Sequence, residues 1–268
     1  MQIEKYSPPF TVTDKMIELV SLISEQVGQI NAGYKNFESR PKLRRNNRIK
    51  SIYSSLAIES NSLSQDEVRS VIAGHAVLGP QREIREVQNA YAAYDLLENL
   101  NPYSLQDLKK IHGVMTKFLI EESGIFRHGE EGVFDGDKVI FIAPPAKFVP
   151  QLMENLFDWL NETKKTIHPL IAASIFHYEF VFIHPFSDGN GRIARLWQTA
   201  LLMNWRKLFQ YLPLESQIQK FQTEYYDAIA KSHKNGKSNI FVEFILKKIF
   251  EILQEVLEDA KNDSALTS

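Results

Sequence analysis

His184-Pro185-Phe186-Ser187-Asp188-Gly189-Asn190-Gly191-Arg192-Ile193-Ala194-Arg195 gathers an imidazole, one carboxylate, two glycines and two guanidinium groups within twelve residues. Upstream, Ile171 to Ile183 is apolar at helical spacing without glycine or proline, so a helix is expected to run to His184 and stop at Pro185. Downstream, Ile193, Leu196, Trp197, Ala200 and Leu201 restore a helical pattern over Arg192 to Trp205. The stretch therefore reads as helix, glycine loop, helix start. Such a start presents unpaired N–H groups and the positive end of the helix dipole to the loop, an arrangement suited to a diphosphate.

Each polar position has a chemical use in that setting. Gly189 and Gly191 can take the dihedrals of a tight turn and let backbone N–H groups approach a ligand. Arg192 and Arg195, three apart, fall on neighbouring positions of one helical face, where two forked donors can grip successive phosphates. A lone carboxylate beside phosphates would repel them unless it held a cation, so Asp188 is the candidate ligand of Mg2+. His184 titrates near neutral pH and is the candidate general base.

These residues resemble the signature of the Fic family, H-x-F-x-(D/E)-G-N-G-R-x-x-R: His184, Phe186, Asp188, Gly189, Asn190, Gly191, Arg192 and Arg195 fill every fixed place. The resemblance implies a mostly α fold, a Fic (Fido) helical core with one β-hairpin flap and an N-terminal helical extension. It also implies transfer of AMP from Mg-ATP to a Ser, Thr or Tyr hydroxyl of a target protein or of the chain itself. Asn190 and the loop N–H groups would meet the α- and β-phosphates, and the two arginines the β- and γ-phosphates. The intact G-N-G-R-x-x-R run argues against the Doc-type phosphotransferase branch. Two other readings use the same residues: removal of AMP from a modified target, and a nucleotide-binding regulatory module without turnover.

Ser54 to Ser64 reads as a helix end, with Asn61 as a left-handed cap and Ser64 capping a helix from Gln65. Glu59 near its last turn opposes the helix dipole and is either simply exposed or matched to a cation elsewhere. Beside the signature, this stretch resembles the family's inhibitory helix, (S/T)-x-x-x-E-(G/N), with Ser55 and Glu59 in the fixed places and Ser60 where Gly or Asn is usual. The resemblance implies that Glu59 pairs with Arg195 and obstructs the γ-phosphate.

Three regions follow: 1–100, helical, with the inhibitory helix at about 50–61; 101–258, the core; and 259–268, a frayed polar tail. Val133-Phe134 and Val139 to Ile142 around Asp135-Gly136-Asp137 predict a hairpin at about 132–142. By resemblance this is the flap that docks the target segment, with Val133, Phe134, Ile140 and Phe141 on it. Tyr225 and Tyr226, on a helix expected over Ile218 to Ala230, read as core aromatics or, by resemblance, as nucleotide contacts. His112 and His177 sit among apolar residues as core histidines, and no H-E-x-x-H spacing supports zinc.

Composition narrows the class. A net charge of −2 gives no footprint for nucleic acid, and the absence of cysteine excludes disulfides and a thiolate nucleophile. Neither a signal-peptide pattern nor a membrane-length apolar run is visible, so a cytoplasmic location is expected. Apolar surface on the N-terminal helices would suit a homodimer.

Overall fold

The computed structural model describes residues 6–33, 41–135 and 138–265. Among them, the helices are α1 (Asp14–Gly33), α2 (Pro41–Ile58), α3 (Gln65–Ile72), α4 (Gln81–Asp95), α5 (Leu105–Met115), α6 (Val149–Glu162), α7 (Pro169–Ile183), α8 (Asn190–Trp205), α9 (Leu214–Lys220), α10 (Gln222–Asn235) and α11 (Asn239–Ala265). The mostly α expectation holds. Strands β1 (Gly132–Asp135) and β2 (Lys138–Ile142) pair antiparallel, Gly132 opposite Ile142 and Asp135 opposite Lys138, with an irregularity between Val133 and Phe134. Gly136 and Asp137 of the expected turn lie outside the described residues.

The centre is the α7–α8 pair. A helix apolar on all sides belongs in a core, and α7 is buried along nearly its whole length, including Ile175, Phe176 and Phe180 at 0% exposure. Its few polar side chains are satisfied: Ser174 Oγ donates to Leu170 O at 2.8 Å, and His177 lies between Gln198 Oε1 (2.6 Å) and the Tyr225 hydroxyl (3.0 Å). Trp197 of α8 is equally buried, and its Nε1–H donates to Pro102 O at 3.1 Å.

The N-terminal helices share this core. Helix α1 packs along α11, and α2 lies against α9 and α4, so apolar residues from Met16 to Leu253 form one cluster. Helix α2 is also pinned by polar bonds. Glu215 of α9, 1% exposed, accepts from Ser51 Oγ (2.8 Å) and from the Tyr94 hydroxyl (2.7 Å), which satisfies both carboxylate oxygens of a buried charge. Asn47 Nδ2 donates to Tyr211 O at 2.9 Å.

Several expectations need correction. Helix α2 ends at Ile58, so Glu59 stands just beyond it instead of inside a helix reaching 61. Ser60, not Asn61, takes the left-handed conformation, with φ 68°. Asn61 is instead drawn into the interior by its amide, which donates to Glu86 Oε2 at 2.9 Å. Ser64 does cap α3, in a reciprocal box with Glu67. The helix expected over 218–230 is broken at Phe221 into α9 and α10. Helix α11 continues to Ala265 through the stretch expected to fray.

Candidate active site

The site forms where α7 ends and α8 begins. His184 caps α7 with φ 51°, a left-handed conformation that is unusual for histidine, and Pro185 prevents the helix from continuing. The loop is then anchored from below. Phe186 is fully buried and stacks on His112, with ring centroids 3.6 Å apart and planes 6° from parallel. His112 Nδ1 accepts from the Gly124 N–H at 2.9 Å, which leaves the hydrogen on Nε2 to donate to Asp188 O at 3.0 Å. Burial pushes the His112 pKa down to about 4, so the ring holds the loop as a neutral imidazole.

Asn190 is also a brace. Its side chain is 3% exposed, accepting from Phe186 N–H (3.0 Å) and donating to Phe186 O (2.7 Å). One of the two amide N–H groups is thus used within the loop. Its backbone begins α8, whose first turn carries N–H groups toward the loop.

The two glycines have different duties. Gly189 has φ 82° and turns the chain into α8. Gly191 is helical and does not make the turn. A Cβ there would collide with Glu59 Oε1 and come within 3.1 Å of Arg195 Nη1, so glycine leaves room for that pair.

Arg195 is 2% exposed and held chiefly by the chain around the end of α2. Its Nε donates to Ser55 Oγ (3.1 Å), and its Nη2 to Ser55 O (2.9 Å) and to Glu59 Oε1 (2.8 Å). Burial works against the guanidinium charge, but Glu59 together with Tyr225 and Tyr94 outweighs it and holds the pKa above its ordinary value. Tyr225 lies in the core beneath this pair, its hydroxyl 3.0 Å from His177 Nε2. Tyr225 thus packs as a core aromatic. Tyr226, 46% exposed, meets it edge-on at 5.2 Å.

Arg192 differs from Arg195 in having donors to spare. It is 3% exposed, and Nη2 donates to Asp188 Oδ1 at 2.8 Å, while Nε and Nη1 are buried without a hydrogen-bond partner. Glu86 Oε1 lies 3.8 Å from Nη1, too far for a hydrogen bond. Two unsatisfied donors of a buried cation beside a helix N-terminus make an anion-binding corner.

Asp188 accepts from Gly189 N–H (2.6 Å) and Arg192 on Oδ1, and from Arg82 Nη2 (3.0 Å) on Oδ2. Arg82, Glu86 and His112 all serve this loop, and sequence reading assigned none of them to it. Their signal is tertiary: α5 must first be packed against α8, and α4 against α5.

His184 keeps a free face. Its Nδ1 lies 3.4 Å from Val181 O, a contact that places the hydrogen on Nδ1 and leaves the Nε2 lone pair available. Burial lowers its pKa, and the Arg127 charge adds to this, against the pull of Val181 O, Glu59 and Asp188. The ring is therefore neutral at neutral pH, as a general base requires. The backbones of Val133, Phe134, Ile140 and Phe141 lie on the paired strands, and their side chains lie outside the described residues.

Residues 102–202, which include the whole loop, all of α7 and α8 as far as Leu202, match the Fic/DOC family. A Fic family protein from Desulfovibrio desulfuricans G20 superposes with a TM-score of 0.89 and 43% identity, over 95% of this chain and 78% of that one.

The chain belongs to the Fic/DOC family. Among curated Fic proteins, protein adenylyltransferase fic-1 of Caenorhabditis elegans is 29% identical over 224 residues, 80% of this chain and 42% of the relative. Protein adenylyltransferase Fic of Culex quinquefasciatus is 34% identical over 206 residues, 74% and 39% of the respective lengths. The chain thus spans less than half the length of these Fic relatives. Among the described residues, no helix is long and apolar enough to cross a membrane.

Proposed function

We propose that this Fic chain is a protein adenylyltransferase, moving AMP from Mg-ATP to a Ser, Thr or Tyr hydroxyl of a target protein, and that Glu59 restrains it. The observation that carries the reading is Arg192, whose Nε and Nη1 are buried donors without partners at the start of α8, on the same loop as the neutral base His184. Such a corner suits the phosphates of a nucleotide, and the names of the curated relatives supply the reaction class.

The roles follow from what each group can donate or accept. The α8 N–H groups and Arg192 take phosphate oxygens. His184 Nε2 accepts the proton of the attacking hydroxyl, which closes on the α-phosphorus as the bond to pyrophosphate breaks. Asp188 is a single carboxylate, and among the described residues no three His, Asp or Glu side chains form a metal cage. That suits magnesium, which takes one or two carboxylates and completes its shell with phosphate oxygens and water. Bound there, the ion would neutralise phosphate charge. In this reading the hairpin of β1 and β2 offers an edge to which a target segment can add as a further strand.

Arg195 cannot serve a phosphate while Ser55 and Glu59 hold it. Restraint follows from that competition. The test uses α-labelled ATP with magnesium on the parent, Glu59→Gly, and Glu59→Gly with His184→Ala, reading self-modification. Label in the single variant alone supports restrained transfer with His184 as base. No label anywhere, together with AMP release from a pre-modified target, would replace it with the removal reaction.

A further inference from the structure

We infer that Arg127 is a positioning residue that locks the base His184 and both feet of the hairpin into one rigid unit. The inference rests on the transfer reading for its consequence in turnover, but not for its geometry.

Arg127 lies in the segment between α5 and β1 and is 2% exposed. Its side chain donates only to backbone carbonyls: Nε to His184 O (2.7 Å), Nη1 to Gly129 O (2.8 Å), and Nη2 to Pro144 O (2.5 Å) and, more weakly, Ile183 O (3.4 Å). Its own N–H donates to Pro185 O at 3.0 Å. No carboxylate among the described residues lies in ion-pair contact with it. A buried guanidinium without such a partner is costly, and here the carbonyls at the negative end of α7 offset the cost.

The bonded atoms belong to three places that sequence separates. Ile183 and His184 are the end of α7, Gly129 precedes β1, and Pro144 follows β2. The two feet are also joined directly, by Ala143 N–H to Glu131 O at 3.0 Å. A left-handed histidine persists only where its surroundings over-determine it, and the bond to His184 O is part of that determination. Only a planar fork reaches carbonyls on all three sides at once, since a lysine ammonium is one compact point.

If the hairpin aligns a target segment, this clamp sets its register relative to His184, while the nucleotide groups on α8 are untouched. Loss of the clamp should therefore lower turnover and spare nucleotide affinity.

The experiment has an arm that needs no activity. In the parent chain, native-state hydrogen exchange of the Arg127, Ala143 and His184 amides should show one common opening free energy and denaturant dependence. Independent openings would overturn the inference. In the Glu59→Gly background, Arg127→Met and the milder Arg127→Lys should exchange at least tenfold faster at the amides of Ala143, Ala146, His184, Phe186 and Ser187, with α8 unchanged. Turnover should fall about 100-fold with the ATP Kd within about twofold, and lysine should restore less than a tenth of the loss. Unchanged turnover, or a loss matched by weaker ATP binding, would reduce Arg127 to a structural role. Absence of transfer by Glu59→Gly itself would count against the adenylyl reading, and the exchange arm would still decide the clamp.

Discussion

Glu59 Oε1 sits 2.8 Å from Arg195 Nη2 and occupies the space that a Cβ on Gly191 would need. The carboxylate is thus wedged between a buried cation and a helix backbone, and the fit depends on residue 191 having no side chain.

Gly191→Ala should consequently behave differently in two backgrounds. With Glu59 present, the added methyl forces the pair apart and should cost about 1–3 kcal/mol. With Glu59→Gly, the collision with Oε1 is gone and only the 3.1 Å approach to Arg195 Nη1 remains to offset alanine's better helix propensity of about 1 kcal/mol, so the substitution should be close to neutral. Urea unfolding of the four members of this double-mutant cycle measures the coupling, and additive effects would mean that Glu59 does not occupy this position.

Ser60 holds φ 68° immediately after Glu59, without the glycine that such a turn favours. A left-handed L-residue costs about 1–2 kcal/mol, and glycine's extra unfolded-state freedom returns about half of that. Ser60→Gly should therefore stabilise by about 0.5 kcal/mol, seen as a small rise in Tm. Basal transfer should remain low, because Glu59 and its contacts are kept. A rise in transfer comparable with that of Glu59→Gly would show that the turn, and not the carboxylate, imposes the restraint.

The parts legible in sequence are those whose physics is local. Apolar periodicity located α7 and α8, proline and glycine marked the loop between them, and Ser64 announced a helix start. The illegible parts depend on what packs nearby. Asn61 was a reasonable left-handed cap by residue type, but Glu86, 25 positions away, takes its amide and leaves the turn to Ser60. The bracing of Phe186 by the Asn190 amide likewise depends on how the loop closes on itself. Arg127 has no local signal, because its partners are carbonyls that any residue would supply.

Arg82 bonds to Asp188 Oδ2 at 3.0 Å from a side chain that is 59% exposed. A guanidinium there competes with any cation for the same oxygen, but an exposed pair is worth at most about 1 kcal/mol. Arg82→Gln should therefore lower the magnesium concentration for half-maximal transfer about two- to fivefold in the Glu59→Gly background. A titration showing weaker magnesium dependence on Arg82 than twofold would indicate that Asp188 is not the site of competition.

His184 carries a pKa lowered by burial first and by Arg127 second. A general base acts in its neutral form, so the acid limb of transfer, where the ring protonates, should be centred below pH 6.5. The pH profile of kcat/KM for Glu59→Gly checks this. An acid limb centred above pH 6.5 would require a different base.

Glu179 is a buried carboxyl, 4% exposed, that accepts from the Tyr6 hydroxyl at 2.7 Å. Burial pushes its pKa up to about 7 against the opposing pull of that hydrogen bond. Because the folded pKa lies above the unfolded value near 4.5, the folded state binds the proton more tightly across this window. The associated stability is present below pH 4.5 and is lost as pH rises through 7, up to about 3 kcal/mol. Glu179→Gln keeps an acceptor for Tyr6 but cannot ionise. Between pH 5 and 8 the parent should therefore lose stability relative to Glu179→Gln, measured by urea unfolding at each pH. Parallel pH dependences in the two proteins would mean that Glu179 ionises in the fold as easily as it does in the unfolded chain.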